Sequence, residues 1–412
     1  MINKKAILKI FSNKNFFIPK LEILSYICVI ATAFFIPVSI LFTNIFIYSA
    51  VIAYLLSGKW RDQYKSIFTN KIIIFPLILL ILFIIGLFYN TATLESGLIF
   101  LRKYLKLIFI PLLLPIFQNE KVRNSSIYAF LSAILITLIL SFVKKYGIIA
   151  INILGPYDAI FHNHINTSFF MAFAAFILAN KFIFTSNKKF KWLFAFGFLI
   201  LSYSVFFWFT GRTGHLTYFA LLLLFLWQVF SWRGIISGII IVPLVAATIF
   251  FMSDNFSARI KAAINDIVQY GERTNEFTSL GNRFGFVSNS IILIKQRPII
   301  GFGTGSVQAE YDKNFVLPPE FSKGLGTLHN EYAMITVQLG IIGLLIFLLM
   351  FSYQFILSFS LTQPLFRNLA QSLVISGLVY SFCDSFLFLS TPCHFYVLFT
   401  SLFYSINTKP HT

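Results

Sequence analysis

Apolar runs of membrane-spanning length succeed one another along almost the whole chain, and one long polar stretch, residues 253–327, interrupts them. Such runs can be buried only in lipid or in a bundle of helices, because a helix satisfies its own backbone hydrogen bonds where water is absent. With 58% hydrophobic and 11% charged residues and a mean hydropathy of +0.82, a soluble domain is excluded. The net charge of +18 would suggest nucleic acid in a soluble protein. Here it fits lysines and arginines held in loops beside anionic lipid, so no nucleic acid partner is expected. Cys28, Cys383 and Cys393 are odd in number and form no CxxC pair, so neither a disulfide framework nor a metal site follows.

The pattern predicts an all-α polytopic membrane protein with about twelve spans. Residues 21–57 divide at Pro37 into two helices. Further spans are expected near 72–89, 98–117, 125–143, 165–184, 192–209, 215–231, 235–252, 330–351, 368–388 and 393–406. Three regions result: helices one to nine over 1–252, a large loop over 253–327, and helices ten to twelve over 328–412. Seventeen Lys/Arg fall in the segments assigned to the cytoplasm, including Lys4, Lys5, Lys9, Lys65 and Lys409 near the ends and in the second loop. The short outer segments hold Lys144, Lys145 and Arg212. By the positive-inside rule both termini are cytoplasmic and the large loop is periplasmic. Within it, Ser279–Gln296 carries Phe284, Val287, Ile291 and Ile294 at helical spacing, which predicts an amphipathic helix on the membrane surface.

Polar residues that stand out against this background are the candidate chemistry. His329, Asn330 and Glu331 sit where the large loop enters a span. An imidazole there suits proton transfer, and equally a helix cap in the headgroup layer. Arg212 lies between Gly211 and Gly214 at a very short turn, where its guanidinium can grip phosphate and the glycines would let backbone approach an anion. Arg283, in the first turn of the amphipathic helix, opposes the helix dipole and needs an acidic partner, a bound phosphate, or simple exposure to water. Arg102, Lys103 and Lys106 cluster in span four, either lining a cavity or sitting in headgroups. Asp384, inside span eleven, reads as a partner for one of these cations, with a catalytic role as the less favoured alternative. No DxD pair for a divalent metal and no nucleotide-sugar motif is present, so no cofactor is expected.

Three ordered segments resemble the O-antigen ligase and O-antigen polymerase superfamily of bacterial envelopes: TGRTGHL at 210–216, the stretch 282–305 ending in PIIGFGTG, and HNEYAMITVQLGIIG at 329–343. The resemblance implies an inner-membrane glycosyltransferase that moves a glycan from undecaprenyl diphosphate to a lipid A–core acceptor on the periplasmic side. It implies that Arg212 and Arg283 hold the diphosphate and that His329 is the general base of an inverting displacement. Apart from the resemblance, the position of Asn330 and Glu331 beside the histidine suggests that they orient the imidazole; Arg102, Lys103 and Lys106 are a weaker match, as accessory phosphate or lipid contacts. A polymerase that joins repeat units on the same carrier carries the same motifs, and a protein-directed oligosaccharyltransferase differs only in acceptor. A transporter or flippase of an anionic lipid or solute also fits many spans with intramembrane cations.

Overall fold

The computed structural model describes residues 14–61, 63, 70–148, 155–272, 278–315 and 327–406. Lys4, Lys5, Lys9, Lys65 and Lys409, and residues 316–326 of the polar stretch, lie outside these. The described chain is helical throughout. Its first half comprises α1 (Lys14–Phe35), α2 (Ile40–Leu56), α3 (Ile74–Gly86), α4 (Leu94–Tyr104), α5 (Phe109–Leu113), α6 (Glu120–Lys145), α7 (His164–Phe184) and α8 (Lys188–Phe207). The second comprises α9 (Arg212–Phe230), α10 (Trp232–Met252), α11 (Asp254–Gly271), α12 (Ser279–Gln296), α13 (Val307–Asn314), α14 (Glu331–Ser358), α15 (Pro364–Cys383) and α16 (Ser390–Tyr404).

Among the described residues six helices are long and apolar enough to cross a membrane: α6, α7, α8, α9, α10 and α14. Helices also occupy the other expected spans, but they are shorter or more polar. α15 carries Arg367, Asn368, Gln371 and several serines, most of them turned into protein. The Asn368 side-chain amide donates to Asn180 of α7 at 2.9 Å and its backbone carbonyl accepts from Gln228 of α9 at 3.2 Å, so these polar groups are met inside the bundle. α7, α15 and α16 form the core. Phe169 and Phe173 of α7 meet Phe395 of α16 edge-to-face, and Phe169 meets Tyr380 of α15 in the same way. α10 is the opposite case: it packs on α9 through Gly234 and Gly238 and leaves Ile239, Ile240, Leu244 and Phe251 exposed, an apolar surface suited to lipid.

The span expected over 98–117 is broken. α4 ends at Tyr104, a 3₁₀ turn covers Leu105–Ile108, α5 runs only to Leu113, and a second 3₁₀ turn covers Ile116–Gln118. Pro111 and Pro115 each lack a backbone N–H, which removes helical hydrogen bonds at two closely spaced points.

α14 also breaks, at Gly340, whose φ of 64° and ψ of −163° are not helical. The segment 298–305, the glycine-rich PIIGFGTG, lies alongside and takes up the freed groups. Phe302 N–H donates to Val337 O at 3.0 Å, Gly303 N–H to Gln338 O at 2.8 Å, and Ile341 N–H to Pro298 O at 2.8 Å. Its other side bonds to α3 through Thr304 N–H to Gly86 O at 3.0 Å. Irregular backbone in an otherwise spanning helix is tolerated where protein replaces the lost bonds. A Cβ on Gly340 would stand 2.1 Å from Ile299 O. Gly340→Ala is therefore expected to destabilise by at least the roughly 1–3 kcal/mol of backbone strain, read as a lower thermal unfolding midpoint in detergent. Gly285→Ala, with nothing within 4 Å of its Cβ, should leave the midpoint unchanged or raise it.

The polar stretch folds as helices. Ser253 caps α11, accepting from Phe256 N–H at 3.2 Å and donating to Phe206 O at 2.6 Å, so α11 starts directly where α10 ends. α12 has the expected bounds, capped by Thr278 on Gly281 N–H at 3.0 Å. Its protein-facing side is Phe286, Ser290 and Leu293, whereas Phe284 and Ile291 of the expected apolar stripe are exposed. Tyr311 of α13 holds α12 in place, donating to Phe286 O at 2.5 Å and lying 2.8 Å from Ser290 Oγ.

Candidate active site

Arg212 is the first residue of α9, so its side chain starts at the helix end where unpaired amides favour anions. Gly211 and Gly214 have a different reason from the one expected. A Cβ on Gly211 would lie 2.0 Å from Ser168 Oγ, and one on Gly214 2.5 Å from Ser168 Cβ. They let α9 close on α7, which fixes where Arg212 starts. Both terminal nitrogens of Arg212 reach Asp266 Oδ2 of α11 at 3.4 Å. The same oxygen accepts from Leu280 N–H of α12 at 3.3 Å. Asp266 thus ties α9, α11 and the start of α12 into one unit. The arginine side chain is 17% exposed and the carboxylate 13%, so the pair is shielded from bulk water.

Arg259 of α11 and Arg283 of α12 face the same cavity as Arg212 and His329. Its volume is about 520 Å³, and Phe219, Phe256 and Phe284 supply apolar walls. Neither Arg259 nor Arg283 has a salt-bridge partner among the described residues. Burial, and then the positive charge of Arg212, holds the Arg259 guanidinium below the usual arginine range. Three guanidinium groups and no acidic side chain line this cavity, with Asp266 paired to Arg212 beside it, so an anion bound there would be favoured.

His329 precedes α14 with φ 49°, a left-handed backbone uncommon for a residue with a side chain. Its N–H donates to Thr327 Oγ1 at 3.2 Å. Thr327 is in turn hydrogen-bonded to Ser385. Its Nδ1 lies 3.1 Å from Asp384 Oδ1, which also accepts from Ser385 N–H at 2.8 Å. With a carboxylate as acceptor, Nδ1 carries the hydrogen and Nε2 is the basic nitrogen. Phe286 of α12 stacks on the imidazole, with ring centroids 6.3 Å apart. The side chain is 34% exposed, so it is held yet reachable.

Several expectations change. Asp384 is not within a helix: α15 ends at Cys383, and Asp384, 2% exposed, opens a non-helical break before α16. Its partner is His329 rather than an arginine or lysine. Asn330 does not orient the imidazole. Its Oδ1 caps α14 on Ala333 N–H at 2.9 Å, and its Nδ2 donates to Phe382 O at 3.2 Å. Glu331 is fully buried and bonds elsewhere: to Tyr104 OH at 3.0 Å, Leu387 N–H at 3.1 Å and Phe388 N–H at 3.3 Å. The span-four cations do not line the arginine cavity. Arg102 is exposed, Lys103 Nζ stands 5.7 Å from the centre of the Phe388 ring, and Lys106 is buried with Nζ donating to Lys103 O at 3.1 Å.

Sequence reasoning missed Arg259 and Asp266. They lie seven residues apart and so share one face of α11 with Phe256, a signal that was available in the helical periodicity. Of the other histidines, His162 bonds Ile36 O at 3.0 Å, and His215 bonds Val205 O at 3.0 Å and stacks on Phe206. Those two are engaged in structure.

Residues 196–348 match the model of the O-antigen ligase family. This stretch belongs to the O-antigen ligase superfamily. It holds all three cavity arginines and His329, while Asp384 and the span-four cations fall beyond it. An uncharacterized protein of Haemophilus influenzae is 31% identical over 252 residues, covering 59% of this chain and 62% of that protein. The chain thus spans less than two thirds of the length of this curated relative. The match and the six described helices long and apolar enough to cross a membrane agree with a membrane protein.

Proposed function

We propose that the chain is an O-antigen ligase of the bacterial inner membrane, transferring a glycan from undecaprenyl diphosphate to a lipid A–core acceptor at a periplasmic site. The observation that carries this reading is one cavity that joins a carboxylate-backed imidazole to three arginines. In the proposed step the acceptor hydroxyl attacks the anomeric carbon and its proton passes to Nε2 of His329. The anomeric carbon–oxygen bond breaks with its electron pair going to the diphosphate, so undecaprenyl diphosphate leaves and the configuration inverts. Arg212, Arg259 and Arg283 receive the charge that builds on the leaving group. Asp266 keeps Arg212 extended into the cavity, and Asp384 fixes the tautomer of His329.

Charge placement favours this reading over a transporter. Arg212 opens α9, and Arg259 and Arg283 sit on helices outside the candidate spans, so the cations gather at one end of the bundle rather than midway along it. Exposed Leu216, Ile260 and Phe284 border the cavity, an apolar mouth suited to the polyprenyl chain of a membrane-borne donor. Because arginines supply the charge compensation, addition of a chelator is expected to leave the transfer rate unchanged, measured with EDTA-treated protein.

The test of the acceptor is genetic. A strain lacking the gene should lose glycan on lipid A–core and accumulate it on undecaprenyl diphosphate. Wild type should restore the linkage, and His329→Asn should not. Shorter chains with linkage to the core intact would assign a polymerase instead.

A further inference from the structure

We propose that Glu331 is a positioning residue that sets the His329–Asp384 pair by clasping the backbone of the break between α15 and α16. This rests on the reading of His329 as the base. Asp384 begins that break and α16 resumes at Ser390. A helical break inside an apolar bundle leaves amides that must find acceptors, since an unmet one is costly away from water. Glu331 Oε2 accepts both the Leu387 and the Phe388 N–H, at 3.1 and 3.3 Å. Its Oε1 accepts from Tyr104 OH at 3.0 Å, and the Tyr104 ring stacks on Phe83 of α3 at 3.8 Å.

The consequence is geometric. Glu331 lies two residues after His329, and the amides it holds lie three and four residues after Asp384. One fully buried carboxyl group therefore fixes the chain carrying the imidazole against the chain carrying its carboxylate partner, with α4 as the anchor. The short links leave little slack, so the 3.1 Å contact between His329 and Asp384 is set from behind. The Thr327–Ser385 hydrogen bond closes the same two segments from the other side. Glutamine can present one oxygen to the two amides and its NH₂ to Tyr104, whereas alanine leaves both amides without an acceptor.

The experiment uses the full chain in nanodiscs, with Glu331→Ala, Glu331→Gln, Asp384→Asn and the double variant E331A/D384N. Glu331→Ala should lower kcat about 10- to 100-fold with KM for the lipid-linked donor within about threefold. Glu331→Gln should recover most of that loss. In the Asp384→Asn background Glu331→Ala should add less than about twofold, because both changes break one arrangement. Losses that multiply in the double variant would overturn the inference. Hydrogen exchange provides an arm that needs no activity: Glu331→Ala should speed exchange over 385–389 and leave α15 protected. Unchanged exchange over 385–389 would also overturn it. If wild type transfers no glycan, the proposed function fails, and the exchange measurement still decides the clasp.

Discussion

Replacing His329 is expected to reduce transfer by about 10²–10⁴-fold, the range associated with losing a general base, with KM for the lipid-linked donor little changed. The loss falls on kcat because the imidazole acts on the acceptor proton, while the arginines bind the donor. Asparagine is the informative substitute. His329 has a φ of 49°, and asparagine tolerates that backbone better than alanine does, yet its side chain has no basic nitrogen. Equal losses for His329→Asn and His329→Ala, with matching thermal midpoints, would assign the effect to proton transfer. Asp384→Asn should reproduce part of the loss, since it removes the acceptor that keeps Nδ1 protonated and Nε2 basic.

The second large effect concerns the arginines. Arg212→Ala is expected to cost about 10²–10³-fold in kcat, the scale of removing one group aimed at charge that develops in the transition state. Arg283→Ala should cost less. Arg212 is paired with Asp266, so deleting it also leaves a shielded carboxylate facing the incoming diphosphate. Arg212→Ala with Asp266→Ala should therefore be more active than Arg212→Ala alone. Arg212→Lys should recover little, because a lysine cannot make two parallel bonds to phosphate. Steady-state kinetics on the four proteins decides these rankings.

The helices were largely legible because apolar runs and caps are local. α12 has the bounds that periodicity predicts, and Arg212, Arg283 and His329, the residues picked out by the ordered motifs, line one cavity. What was not legible depends on partners far apart in the chain. Asp384 looked like an acid inside a span because its neighbours are apolar. The end of α15 at Cys383 follows from the break being held by Glu331, more than fifty residues earlier. Glu331 itself sits beside the histidine in sequence but turns away from it, since the first residue of a helix points its side chain according to the packing around it. The glycine-rich 298–305 segment gave no hint that it would repair a break in α14, because the cause, Gly340, lies in a different apolar run. Arg259 and Asp266 were within reach of helical periodicity in α11, whose polar surroundings hid it.

The most direct measurement is transfer by purified protein supplied with undecaprenyl-diphosphate glycan and lipid A–core. Wild type should produce glycan on lipid A–core of inverted anomeric configuration, and His329→Asn and Arg212→Ala should produce almost none. Unimpaired product from both variants, or no product from folded wild type given matching substrates, would contradict the account.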